Sequence, residues 1–135
     1  MYSHQTKIRV RYGETDQMGY MYYGNYAELY EVGRVEMLRS LGMTYKSMEE
    51  EGIMMPVLEM RCKYLRPALY DEEITIKTKL EKMPGVKIHF RYEFYNEANE
   101  FIHEGETMLA FIDMKRNRPC AAPQDLQDRL KPFFK

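Results

Sequence analysis

RYGETDQMGYMYYGNYAELYEVGRVEMLRSLG, residues 11–42, decides the fold. It reads as a strand end, a polar loop holding Gly13, Gly19 and Gly24 around one central aspartate, Asp16, and then one long amphipathic helix. An acid a few residues from a helix start is reaction-site geometry. An ionised Asp16 can attack or deprotonate. Backbone N–H groups near Gly24 and Asn25, at the positive end of the helix dipole, can hold a developing oxyanion. That pairing suits acyl transfer better than redox or phosphoryl chemistry.

Tyr26, Leu29, Tyr30, Gly33, Met37, Leu38 and Leu41 recur at i, i+3, i+4 and i+7, which predicts a helix over 26–41 with one buried face. Asn25 and Glu28 resemble a capping box, and Gly42 stands where a left-handed C-cap glycine is expected. Gly33 within the buried stripe costs about 1 kcal/mol relative to alanine, and predicts close approach of the helix to a sheet. Upstream, Ile8, Val10 and Tyr12 alternate with Lys7, Arg9 and Arg11, so the first strand is expected over 7–12.

Downstream, Thr44 caps a short second helix ended by Gly52. Ile53 to Tyr64 reads as one long strand, more buried at its start, with Cys62 on the apolar side. Glu73 to Leu80 alternates. Val86, Ile88, Phe90, Tyr92 and Phe94 face one way against Lys87, His89, Arg91 and Glu93. Phe101 to Met114 is strand-like, and its Met108 to Ile112 run, apolar on both parities, points to a central place in the sheet. Pro123, Leu126, Leu130 and Phe133 make a short C-terminal helix. The fold class is therefore α+β: one domain, 1–135, with an antiparallel sheet of five or six strands and its main helix on one face. The two-sided apolar runs near Met54 and Met108 ask for further cover, which favours a homo-oligomer.

With 20 basic and 21 acidic residues among 135, nothing in the charge balance suggests a nucleic-acid partner. No apolar run approaches the roughly 20 residues of a membrane span, and the N-terminus lacks a signal-peptide core, so a cytoplasmic protein is expected. Cys62 and Cys120 are expected as free thiols, and neither they nor His4, His89 and His103 have metal-ligand spacing. The histidines are expected at the surface or hydrogen-bonded.

Three segments, RVRYGETDQMGYMYYGNYAELYEVGRVEMLRSLG, PVLEMRCKYLRPALYDEEITI and RPCAAPQDLQDRL, make the chain resemble the 4-hydroxybenzoyl-CoA thioesterase family of hotdog-fold proteins. The likeness is strongest to the bacterial acyl-CoA thioesterase branch associated with the Tol-Pal system. The resemblance implies a sheet wrapped around the long helix, with dimers that join sheets edge to edge and commonly form tetramers. It also implies hydrolysis of acyl-CoA at a dimer interface, with Asp16 at the motif aspartate and Tyr12 at the motif tyrosine. Tyr23 stands where the Tol-Pal branch commonly carries histidine and the 4-hydroxybenzoyl-CoA enzymes commonly carry tyrosine. Histidine-dependent schemes do not carry over.

A thioester suits a lone carboxylate, because a thiol with a pKa of about 8.5 leaves as thiolate with little acid help. Asp16 is thus the candidate base or nucleophile, with Tyr23, Gly24 and Asn25 at the oxyanion. An aspartate in such a loop also commonly makes an Asx-turn. Tyr12, Tyr22 and Tyr26 are candidates for the acyl pocket. Lys63, Arg66, Lys115, Arg116 and Arg118 are candidates for the coenzyme A phosphates. No cofactor is expected, since coenzyme A enters as part of the substrate. The competing functions are an acyl-carrier-protein thioesterase, a non-catalytic acyl-CoA-binding or scaffold protein, and a hotdog dehydratase. The dehydratase would need a histidine that this loop lacks.

Overall fold

In the computed structural model, which describes residues 1–134, the strand β1 covers Tyr2–Arg9. The helix α1 covers Tyr26–Ser40, and a short helix α2 covers Tyr45–Glu50. Strands β2 (Ile53–Met54), β3 (Val57–Tyr64), β4 (Glu73–Leu80), β5 (Lys87–Tyr95) and β6 (Phe101–Ala110) follow. The chain finishes with β7 (Ile112–Asp113), β8 (Arg118–Pro119) and the helix α3 (Gln124–Leu130). Five strands pair antiparallel in the order β1-β4-β5-β6-β3, and β2, β7 and β8 form a small second sheet.

The helix α1 lies across β1, β4 and β5. Its buried face is Tyr26, Leu29, Tyr30, Gly33, Arg34, Met37 and Leu38. These meet Ile74, Ile76, Ile88, Phe90, Tyr92 and Phe94, each worth about 2–3 kcal/mol when withdrawn from water. This is the hotdog arrangement of a sheet around one helix. The close approach expected at Gly33 is realised: a Cβ there would overlap Thr78 Oγ1 and lie 3.2 Å from Ile76 Cγ2. Gly42 takes φ +85°, as a left-handed cap requires, and Thr44 caps α2 by accepting the Ser47 N–H at 3.0 Å.

Several expectations need correction. The first strand begins at Tyr2 and ends at Arg9, because Tyr2, His4, Thr6 and Ile8 alternate inward through residues too polar to signal burial. Tyr12 is 79% exposed in a 3₁₀ turn over Tyr12–Glu14, which Arg11 N–H starts by donating to Glu14 Oε1 at 2.8 Å. The capping box at Asn25 does not form. A 3₁₀ turn over Tyr23–Asn25 runs straight into α1, and the Asn25 amide donates to Glu14 O at 2.8 Å instead. The long strand expected over 53–64 breaks at Met55 and Pro56, and a register shift sets Leu58 out of the ladder. Its start is exposed, not buried: Val57, Leu58 and Met60 are about half accessible on the open edge of the sheet. Val86 and Phe133 are likewise exposed.

Arg34 was outside the expected core, yet it is buried. Nε donates to Tyr45 Oη at 2.9 Å and Nη1 to Tyr92 Oη at 3.0 Å, so two phenols satisfy the guanidinium. Cys62 is half-buried, and its Sγ accepts the Tyr30 hydroxyl at 3.2 Å.

Candidate functional site

The Asp16 loop is a miniature hairpin. Tyr22 N–H donates to Glu14 O at 2.7 Å, Thr15 bridges Met21, and Asp16 N–H donates to Tyr20 O at 2.9 Å. A turn closes it, Gly19 N–H donating to Asp16 O at 3.0 Å with Gly19 at φ +78°, a conformation that favours glycine. Met21 N–H anchors the hairpin to Ala68 O at 2.7 Å. The Asx-turn forms as well: Asp16 Oδ1 accepts the N–H of Met18 at 2.9 Å and of Tyr20 at 3.3 Å. Oδ2 takes no protein partner among the described residues.

Asp16 lines a hollow of about 310 Å³ together with Tyr23, Tyr26, Tyr64, Arg66 and Pro67. The hollow brings the aspartate loop and the first turn of the helix together, as the sequence led us to expect. At that helix tip the N–H groups of Asn25 and Tyr26 are taken, by Tyr22 O and Tyr23 O. Those of Tyr23 and Gly24 have no protein partner among the described residues. Asn25 is therefore a brace between loop and helix, and the open donors fall one and two residues earlier than Asn25. A Cβ on Gly24 would stand 2.6 Å from Tyr22 Cε2, so a larger residue here would push the Tyr22 ring from its place.

Beneath the hollow, Tyr26 stacks on His103 with ring centroids 4.1 Å apart, and Tyr64 meets both rings edge-on at 5.1 and 4.8 Å. His103 is wholly buried, its Nε2 bonded to the Tyr30 hydroxyl and its Nδ1 unpartnered among the described residues. Burial lowers its pKa to about 4, so the ring is neutral at neutral pH. A neutral ring that donates from Nε2 leaves only a lone pair unmatched. The proton order is then His103 to Tyr30 to Cys62.

The remaining candidates separate. Tyr12 lines a second hollow on the other side of Asp16 and packs edge-on against Tyr70 at 5.7 Å. Tyr22 is exposed and rests on Tyr23 at 4.6 Å, outside the hollow that Asp16 shares with the helix tip. Of the candidate phosphate-binding residues only Arg66 reaches the Asp16 hollow, and it pairs with Glu100 at 2.9 Å. Lys63 lines a depression on the outer face of the sheet with Arg61 and Arg91. Lys115, Arg116 and Arg118 are exposed around the β7–β8 turn. In the single chain these cations do not form one phosphate cradle. Tyr64 was missed as a site residue, although it lies within the second segment that carried the family resemblance.

Residues 10–130 match the family described as the thioesterase-like superfamily. The chain belongs to this superfamily. Among its thioesterase-like relatives, YneP of Bacillus subtilis is 34% identical over 88% of this chain and 86% of its own length. The acyl-CoA thioester hydrolase YbgC of Escherichia coli is 29% identical over 92% of each chain. The solved structure of a DHNA-CoA thioesterase from Staphylococcus aureus superposes with a TM-score of 0.92 at 33% identity, covering 98% of this chain and 91% of that one. No described helix is long and apolar enough to cross a membrane. Among the described residues, no cluster of three or more His, Cys, Asp or Glu side chains could hold a metal ion.

Proposed function

We propose that this chain is an acyl-CoA thioesterase, hydrolysing a fatty or aromatic acyl-CoA to the free acid and coenzyme A. The observation that carries the reading is one shared hollow, lined by an aspartate with a free oxygen and by Tyr23 and Tyr26, which flank the unpartnered Gly24 N–H. In this reading the thioester oxygen lies against the Tyr23 and Gly24 amides, which hold negative charge as the carbonyl becomes tetrahedral. Asp16 Oδ2 either adds to the carbonyl, giving a mixed anhydride that water opens, or takes the proton of the water that adds. The thiolate of coenzyme A leaves and is protonated by solvent. Arg66 at the rim supplies a cation for the nucleotide end.

The open β3 edge supports a homodimer in which a second copy pairs strand to strand there, burying Val57, Leu58 and Met60. The other basic residues then serve the site from across such an interface. Two free cysteines fit a reducing compartment, the cytoplasm.

The test is thiol release from short, long and aromatic acyl-CoA esters and from acyl-carrier proteins, with Asp16→Asn alongside. Turnover of acyl-CoA that collapses in the variant is expected. Turnover of carrier-linked substrates alone would move the reading to an acyl-carrier-protein thioesterase. No turnover of any thioester would leave a binding protein.

A further inference from the structure

Tyr64 sits at the end of β3, 41 residues from the helix tip, yet its hydroxyl donates to the carbonyl oxygen of Tyr23 at 3.2 Å. That oxygen belongs to the same planar amide as the Gly24 N–H. In a trans peptide the two point in opposite directions, so a donor on the oxygen both turns the plane and draws electron density from the N–H, making it a stronger donor. We infer that Tyr64 is a positioning residue of the thioester reaction, its hydroxyl orienting and polarising the Tyr23–Gly24 peptide toward the developing oxyanion. This rests on the reading of the site given above.

Three further observations support it. The Gly24 N–H has no protein partner among the described residues, so polarising it strengthens no described bond within the protein and leaves it available to a ligand. The Tyr64 ring, although about half exposed, is held edge-on by Tyr26 and His103, and these two are stacked on each other. The hydroxyl is thereby aimed by packed rings rather than by a free side chain. Desolvation and the neighbouring Cys62 push the Tyr64 pKa up to about 12, which keeps the hydroxyl protonated, and so donating, wherever the enzyme works. The Tyr23 carbonyl also accepts the Tyr26 N–H, so the one amide receives two donors on its oxygen while its own hydrogen meets no acceptor among the described residues.

The experiment is acyl-CoA hydrolysis by the full chain with Tyr64→Phe, which keeps the ring contacts and removes only the donor. A fall in kcat of about five- to thirtyfold is expected, with KM within about twofold of the parent. A second protein carrying 2,3,5-trifluorotyrosine at 64 has a hydroxyl acidic enough to ionise within the assayable pH range. Its kcat is expected to match the parent at neutral pH and to fall at higher pH, where that hydroxyl ionises. A Tyr64→Phe enzyme with the parent's kcat, or with its whole loss in KM, overturns the inference, while the hydrolase reading survives if Asp16→Asn is still inactive. A fluorotyrosine enzyme whose pH profile matches the parent's also overturns it, whether or not Tyr64→Phe folds. A parent that releases no thiol removes both.

Discussion

Asp16 Oδ1 accepts the Met18 N–H at 2.9 Å, so one oxygen of the carboxylate holds the turn together and the other has no protein partner among the described residues. A side chain divided in this way lets a turn-holding role be tested apart from the proposed chemical one. Asp16→Asn keeps an oxygen for Met18 and Tyr20 but loses the charge. We expect at least a hundredfold loss of kcat with a thermal midpoint near that of the parent. Asp16→Ala loses both and is expected to loosen the loop as well. Equal rates in parent and Asp16→Asn would remove this residue from the mechanism.

Gly33→Ala gains about 1 kcal/mol of intrinsic helix propensity but drives a methyl into Thr78 Oγ1 and Ile76 Cγ2. Overpacking wins, and a net loss of roughly 1–3 kcal/mol in chemical denaturation is expected. Adding Thr78→Ala should return part of it, since Thr78 Oγ1 has no hydrogen bond to lose among the described residues. A Gly33→Ala protein more stable than its parent would mean that the helix does not press on the sheet here.

His103 makes stability depend on pH with a definite sign. Its folded pKa, about 4, lies below the ordinary value of about 6.5, so between these the unfolded chain binds a proton that the folded chain refuses. The contribution is whole above pH 6.5 and is lost as pH falls toward 4. From pH 7 to pH 5 the loss is about 2 kcal/mol. Urea midpoints across that range should show it, and His103→Gln should flatten the slope by about that amount.

The β3 edge carries Leu58 and Met60 at about half exposure beside unpaired backbone groups. Sedimentation should give the parent at least twice the mass of one chain. Met60→Lys and Leu58→Lys together should shift it toward the monomer and lower activity per chain. A parent that sediments as a monomer at every concentration would refute pairing at this edge.

Much of this was legible because one face of each strand is wet and the other dry. Ile88, Phe90, Tyr92 and Phe94 alternate with charged residues, and all four are buried as expected. The loop and helix were legible because local spacing places Asp16 near Tyr23 and Gly24. What escaped was long-range. Asn25 gave up its cap to a carbonyl eleven residues back, and Arg34 found phenols 11 and 58 residues away. Tyr64 reaches its partner across 41 residues. No periodicity reports such contacts. Met60 and its neighbours misled for another reason: apolar character signals a need for cover, and the single chain leaves them uncovered.

A Cβ at Gly105 would fall inside the ring and hydroxyl of Tyr30, which sits flush on that backbone while bonding His103 and Cys62. Drift at the two positions is therefore tied. In a lineage where residue 105 acquires a side chain, residue 30 must shrink in the same stretch of evolution, and the polar chain beneath the hollow dissolves with it.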